Sequence, residues 1–543
     1  MSLARSSISK DEHAFQTEDE LEEAVYKKRG IFKHIKIARS EWPRVLYLSG
    51  LFGVITMVHT IMGNMREMVV MGRQDPMSIF FIKSIFLPPF SIFFVWMIQI
   101  GLDRFTPSKV FDIVLMCFSG CYVVFGLGLW PLKHLIQMDL YWARDMFGDG
   151  KMESIRSHFL FPVFLALNEW TSSLFFMCSE MWGALVASYL FHMFSNEVST
   201  GKQTQRYISV YNVSNALSIF CSAILTLVFN KWRDGVTFEV KEIGFKILVL
   251  VSAAIILGIL MMKKYMEKAI LPVPVFATME IKSANVMHKR TSKKDTGSGM
   301  LSSKVLIAIS LTVLFYGIAS TLCDATFKNG LAASSKYGNK SRETLSNFYN
   351  GMEQLIISIS LLIVVNSPYS SLIKKGGWIY VAGMPVAAAA FSLFSIFLIA
   401  FYNVGATQSG NIVFGSLFNG WTPLLAFENG MGMLSIAIFR LGKYIGSDVS
   451  KEAISMQLDP RYRAKYKAVY DGLCGKLGKS MGSIICMAMT GIWDTTDVRK
   501  MSSVSALMMV VIIGLWVVLI RFLSKKYQDA TSSNKYIVVD EIK

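Results

Sequence analysis

Apolar windows about 20 residues long recur from one end of this chain to the other, and that recurrence constrains the fold more than any motif does. A helix rises about 1.5 Å per residue, so about 20 residues cross the roughly 30 Å hydrocarbon core of a bilayer. Such windows fall at 45–64, 79–101, 110–132, 168–194, 207–230, 242–262, 304–324, 346–366, 378–402, 412–439, 469–493 and 502–523. Hydrocarbon offers no hydrogen bonds, so a spanning backbone must satisfy its own N–H and C=O groups, and each window predicts a helix. The expected fold class is all-α, a polytopic membrane protein of about 12 transmembrane helices. The fourth window, within FLFPVFLALNEWTSSLFFMCSEMWGALVASYLFHMF, is long enough for a span plus an interfacial helix, and the tenth is overlong.

An even number of spans puts both termini on one side. Nine Lys and Arg precede the first span, nine more lie in 263–304 against three acids, and RFLSKKYQ follows the last span. By the positive-inside rule these segments are cytoplasmic. They account for much of the formal net charge of +17, and no soluble domain remains to carry a nucleic-acid surface, so no nucleic-acid partner is expected. The basic segment divides the chain into a tail 1–44, a six-helix bundle 45–262, a cytoplasmic linker 263–303, a second six-helix bundle 304–523 and a tail 524–543. Two six-helix bundles joined inside the cell form a major facilitator-like layout, with the solute held near the midplane between them. Asp103, Arg104 and Lys109, in the loop after the second span, fit that layout. The polar first forty residues show no cleavable signal, which leaves insertion to the first span. The seven Cys sit in or beside spans without metal spacing and the seven His form no cluster, so no metal, cofactor or enzymatic chemistry is expected.

Charge inside the spans carries the functional signal, because an ionisable group at the bilayer centre costs about 2.5–3.5 kcal/mol unless it faces a partner or a wet cavity. Lys83 lies in FFIKSIFLPPFSIFF, ahead of Pro88 and Pro89, which are expected to kink the helix. Glu180 lies in LFFMCSEMWGALVASYLF, Asp324 in IASTLCDATFK and Glu428 in WTPLLAFENGMGML. Lys476 and Lys479 share a helix face in GKLGKS. Bland alternatives exist for several: Lys83 is close enough to its helix start to snorkel, Asp324 ends its span and reads equally as a solvated helix end, and Glu428 becomes a boundary residue if the tenth span is shorter. Intramembrane cations accompanied by acids suit an anionic solute, and a compact ammonium can follow a polyphosphate. GKLGKS itself is not a nucleotide-hydrolysing loop, since that motif needs Gly where Leu473 stands, and a strand before it. Its glycines at 472, 475, 478 and 482 instead let a second helix approach closely.

The stretch SLFFMCSEMWGALVASYLFHMFSNEVSTGKQTQRYISVYNVSNAL, with Glu180 and Arg206-Tyr207, resembles the most recognisable motif of the nucleotide transporters, or ATP/ADP translocases, of plastids and obligate intracellular parasites. Further family motifs match Asn64-Met65-Arg66-Glu67-Met68, Phe81-Ile82-Lys83-Ser84-Ile85, Thr321 to Lys328, Leu441 to Glu452 and Leu477 to Gly482, and the resemblance extends over about 40–525. It implies exchange of ATP against ADP by alternating access, in a monomer, with Lys83, Glu180, Asp324 and Lys479 as the substrate-binding set. Asn64, Arg66, Lys443, Lys476 and Glu428 are secondary candidates. Asp replaces the family's Glu at 324, and Arg66-Glu67 replaces Lys-Asp. The implied location is a parasite plasma membrane, or else an organelle membrane. The alternative is a proton-coupled major facilitator-type transporter of another small solute, with Glu180 or Asp324 as the proton site. The sequon Asn339-Lys340-Ser341 is predicted to be exterior.

Overall fold

The computed structural model describes residues 37, 41–137, 160–199, 201–272, 303–338, 340–366, 377–407, 410–458, 466–533 and 537. Most of the expected tail 1–44, the linker from 273 to 302, the sequon's Asn339, the side chain of Arg206 and most of the chain beyond 533 lie outside the described residues.

Among the described residues, twelve long helices follow in order. They are α1 (Trp42–Arg73), α2 (Ser78–Arg104), α3 (Pro107–Leu129), α4 (Trp170–Val198), α5 (Gly201–Asp234), α6 (Phe238–Ile270), α7 (Lys304–Tyr337), α8 (Arg342–Asn366), α9 (Trp378–Gly405), α10 (Leu425–Leu441), α11 (Gly475–Ile492) and α12 (Val498–Ser533). Nine are long and apolar enough to cross a membrane by length and composition; α8, α10 and α11 are the other three, and α10 is 17 residues long. The protein is thus a polytopic, all-helical membrane protein. A separate helix, Phe161–Asn168, precedes α4, as the length of the fourth window suggested.

The tenth span departs from expectation. Residues 412–424 form turns, with Asn411 bridged to Gly415, and α10 starts only at Leu425 before running on through Gly442–Ser447 into Asp448–Met456. The stretch has no charge and so reads as a span, but Gly410, Gly415 and Gly420 adopt positive φ (60°, 60° and 89°), which breaks a helix.

Several helices contain a widened, π-helical turn. In α2 it covers Ile82–Phe86, where the Leu87 N–H donates to Ile82 O, five residues back. Pro88 and Pro89 follow at once and have no N–H to give to the preceding turn, which accounts for the irregularity there. Further widened turns cover Trp182–Leu190 in α4 and Gly442–Ser447 after α10. Lys83 and Lys443 lie within such turns, and Glu180 lies just before one; π turns concentrate at functional sites.

One apolar core gathers α1–α6 around Leu51, Phe111, Trp182 and Val249. A second gathers α7–α12 around Leu322, Trp378, Phe439 and Trp516, and also takes in Met77–Ile82 and Phe176 from the first half. The halves further meet along α5 and α8, which run antiparallel. Toward the chain termini this seam is apolar, with Ala216 packed against Ile357, Leu361 and Ala437; nearer its middle Gly351 seats Leu227, where a β-carbon would stand 2.9 Å from that side chain. Toward the other face it is polar. Asn64 donates to Thr226 Oγ1 and Gln354 Oε1 (both 2.9 Å), Arg233 pairs with Glu343 at 2.5 Å, and Thr344 donates to Asp234 at 3.1 Å.

Within the second half, α7 and α11 touch backbone to backbone. A β-carbon on Gly317 would lie 2.6 Å from the Gly478 carbonyl carbon, and one on Gly478 would lie 2.8 Å from Leu314 O. The close helix approach expected of the 478–482 glycines is present, with α7 as the partner.

Candidate functional site: a cluster of paired and unpaired charges

Between the halves the helices bring together six cations and four acids: Arg66 and Glu67 on α1, Lys83 on α2, Glu180 on α4, Asp324 and Lys328 on α7, Glu353 on α8, Arg440 on α10, Lys443 just beyond it, and Lys479 on α11. Three ion-pair groups organise them. Arg66 Nη2 holds Glu180 Oε2 at 2.5 Å, Arg440 Nη1 holds Glu353 Oε1 at 2.9 Å, and Lys328 Nζ lies between Asp324 Oδ2 (2.8 Å) and Glu67 Oε1 (3.2 Å). Lys328 is 2% exposed, so it needs these partners: an unpaired buried ammonium would cost several kcal/mol. Because Glu67 comes from α1 and Asp324 from α7, the Lys328 group ties one half to the other.

Lys83, Lys443 and Lys479 have no ion pair among the described residues. Lys83 Nζ stands over the rings of Phe80 (5.7 Å) and Phe176 (5.9 Å), and Phe176 also faces the Arg66 guanidinium at 5.1 Å. An aromatic face stabilises a cation without neutralising it. Lys479 lies within electrostatic reach of Glu180, Lys443, Lys83 and Arg440. The groups are accessible although they sit inside a helix bundle: the Arg440 side chain is 40% exposed, that of Glu180 27%, and Lys479 is exposed. A solvent-accessible cluster with excess positive charge, carried in part by mobile ammoniums, has the chemistry that suits a polyanion such as a polyphosphate.

The four principal sequence candidates, Lys83, Glu180, Asp324 and Lys479, thus lie in one cluster, and Arg66 and Lys443 lie in it with them. Asn64 is engaged instead in the α5–α8 seam. Lys476 is exposed, one turn before Lys479, without an ion pair among the described residues. Glu428 stands elsewhere. Its carboxylate accepts from Asn403 Nδ2 at 2.7 Å and pairs with Arg499 at 3.4 Å, because α10 begins at 425 and leaves residue 428 in its first turn.

Four members were not singled out from the sequence. Glu67 and Lys328 lie within quoted motifs but were not selected. Glu353 falls inside the eighth predicted span and was findable as an intramembrane acid, whereas Arg440 falls one residue beyond the misplaced tenth span.

On the face away from the termini, the α1–α2 turn, the start of α8 and the α11–α12 loop come together. Burial pushes the Asp75 carboxyl, in the α1–α2 turn, up to about 6 although its Oδ1 accepts from the Met77 N–H at 2.9 Å. Asp497 approaches from the α11–α12 loop, and its own carboxyl is held below the usual range by Arg499 against burial. Arg342 donates to Gln74 O at 3.1 Å across the halves.

Residues 19–527 match the family pattern described as TLC ATP/ADP transporter. The chain is 64% identical to "ADP,ATP carrier protein 3" of Encephalitozoon cuniculi, covering 99% of each chain. It is 30% identical to "ADP,ATP carrier protein 1" of Paranosema grylli (97% and 96% covered) and 24% identical to that of Chlamydia pneumoniae (92% and 94%). Among solved structures it is similar to a bacterial homologue of the iron transporter ferroportin in an inward-facing state, at TM-score 0.49 and 12% identity, covering 90% of this chain and 100% of that one. A proton:xylose symporter of the major facilitator superfamily gives TM-score 0.47 at 13% identity, covering 86% and 94%.

Proposed function

Because the chain belongs to the TLC ATP/ADP transporter family, we propose that its charged cluster is the site at which ATP and ADP are bound during exchange across a membrane. The protein is an integral membrane nucleotide carrier. The observation that supports this siting is the contrast within the cluster: Arg66, Lys328 and Arg440 are neutralised by acids, while Lys83 from the first half and Lys443 and Lys479 from the second stay free for phosphates. Cations contributed from both sides let a bound nucleotide draw the halves together, so that binding free energy drives the change of access. Uptake of labelled ATP into liposomes loaded with ADP, ATP, GTP or nothing tests the reading. Exchange in loaded vesicles alone supports it; uptake driven by a pH gradient into empty vesicles supports a proton-coupled carrier instead.

The Lys328 bridge supplies the brake that an exchanger needs. While the site is empty, Glu67–Lys328–Asp324 ties α1 to α7, and arriving phosphates compete with the acids for the cation. Glu67→Gln leaves Lys328 paired with Asp324 and removes the cross-half charge pairing, while the amide oxygen can keep the contact that Glu67 accepts from Asn350 Nδ2 at 3.1 Å. The expected result is a several-fold rise in ADP efflux into nucleotide-free medium with exchange retained; unchanged efflux would remove this role.

The basic flanks support cytoplasmic termini, and the relatives from intracellular parasites favour a parasite plasma membrane, which together make the Asp75 face the exterior and closed one. Opening that face to water returns Asp75 from about 6 toward its ordinary 3.8. The closed form therefore binds more protons between those values, and acid favours closure by up to about tenfold per pH unit in that window. Asp497, already held low, titrates below it. Exchange is expected to slow roughly tenfold as exterior pH falls from 7 to 5, and Asp75→Asn is expected to flatten that profile; a wild-type rate constant over the range would count against the gate.

A further inference from the structure

Near the middle of α1, two turns before Arg66, stands a histidine outside the charged cluster described above. His59 is half-buried, its Nδ1 is sealed from solvent, and that nitrogen has no hydrogen-bond partner among the described residues. Its ring packs against Gly183 of α4 so closely that a β-carbon there would stand 2.2 Å from Cε1 and 2.5 Å from Nδ1. Gly183 is thus the seat of the imidazole, one turn after Glu180 and inside the widened turn Trp182–Leu190. The charged groups within reach of the ring are Arg66 on its own helix, Glu180 on α4 and Lys479 on α11. Glu180 is taken by Arg66, and Lys479, whose charge acts on the ring, has no ion pair among the described residues.

An apolar side chain at this depth would avoid the roughly 1–3 kcal/mol that an unpartnered buried polar atom costs. An intramembrane ionisable group seated in this way, beside a free ammonium, is placed for a ligand. We propose that His59 is a nucleotide-binding residue whose imidazole donates a hydrogen bond to a phosphate oxygen of the nucleotide beside Lys479, with Gly183 holding the ring in place. Nε2 also flanks Gly183, 2.9 Å from the same β-carbon position, but only Nδ1 is sealed, so Nε2 is the nitrogen with an open side and acts as the donor, with Nδ1 left as the deprotonated nitrogen of the neutral ring.

The proposal rests on the ATP/ADP reading, and one experiment separates the two. Full-length wild type, His59→Leu, His59→Gln and Gly183→Ala are reconstituted in ADP-loaded liposomes, and KM and kcat for ATP exchange are measured. In detergent, the rise in melting temperature brought by saturating ATP is recorded for each. His59→Leu is expected to raise KM about tenfold with kcat nearly unchanged and to shrink the ATP-induced rise. His59→Gln, which keeps an N–H near the Nε2 position, is expected to restore most of both. Gly183→Ala, which displaces the ring while keeping it, is expected to reproduce the KM defect. Should His59→Leu not reach the membrane, His59→Asn takes its place with the same expectation, since its donor is withdrawn toward the backbone. Wild-type KM and an undiminished ATP increment in these variants would overturn the proposal, whatever happens to the melting temperature of the empty protein. Wild type failing to exchange ATP would overturn the ATP/ADP reading instead.

Discussion

Lys479→Ala is expected to reduce kcat/KM for ATP exchange by about 10- to 100-fold, the range set by losing a hydrogen bond to a charged group worth about 1.5–3 kcal/mol. The residue is exposed to the inner space and unpaired among the described residues, and Arg66 still holds Glu180 after its removal. Folding therefore loses little, and the defect falls on the nucleotide. Lys83→Ala is expected to behave alike, because Lys83 is stabilised by the rings of Phe80 and Phe176 and leaves no acid stranded. The double variant should lose more than either single one, since each lysine comes from a different half. Lys479→Arg keeps the charge but changes its shape, and partial activity is the expected outcome. The measurement is labelled-ATP counterflow in ADP-loaded liposomes at matched protein content. Wild-type exchange by Lys479→Ala would move the phosphate site elsewhere.

Gly317→Ala is the second substitution with a large expected effect, and it touches no charge. The new β-carbon would meet the Gly478 carbonyl carbon at 2.6 Å, its Cα at 2.8 Å and the Lys479 nitrogen at 2.8 Å, all backbone atoms without a rotamer to escape into. Helices α7 and α11 must separate, and overpacking of this kind typically costs about 1–3 kcal/mol. The displacement also moves Lys479, whose own N–H is one of the atoms struck. A fall of several degrees in melting temperature together with at least tenfold slower exchange is expected. Gly514→Ala in α12 serves as the control, because nothing lies within 4 Å of a β-carbon there and no change is expected. If Gly317→Ala matched that control, the helix crossing would be looser than described.

The part of this fold that rests on hydrocarbon was legible in the sequence. Spans announce themselves because the bilayer demands length and apolarity, and Lys83, Glu180, Asp324 and Lys479 stood out because charge is costly there. Apolarity alone cannot tell a span from a greasy turn, however, and 412–424 was misplaced because three glycines outweighed an uncharged run. That error carried Glu428 into mid-span and left Arg440 just outside. Pairing was not legible at all. The Lys328 bridge joins α1 to α7, and the Arg440–Glu353 pair joins α10 to α8, contacts between residues far apart along the chain that no local spacing encodes. His59 escaped notice for a related reason, since its interest comes from a glycine more than a hundred positions away.

The α5–α8 seam has a thermal consequence. Its polar end is made of amides and ion pairs, which can trade their partners for water, whereas its apolar end, around Ala216 and Ile357, keeps hydrocarbon packed. Exposing apolar surface raises heat capacity and exposing polar surface lowers it. A swing that parts the polar end also draws Met77–Ile82 out of the second core, so it wets hydrocarbon as well and its heat-capacity change is positive. The rate of turnover of such a carrier is then expected to follow a curved Arrhenius plot rather than a straight one.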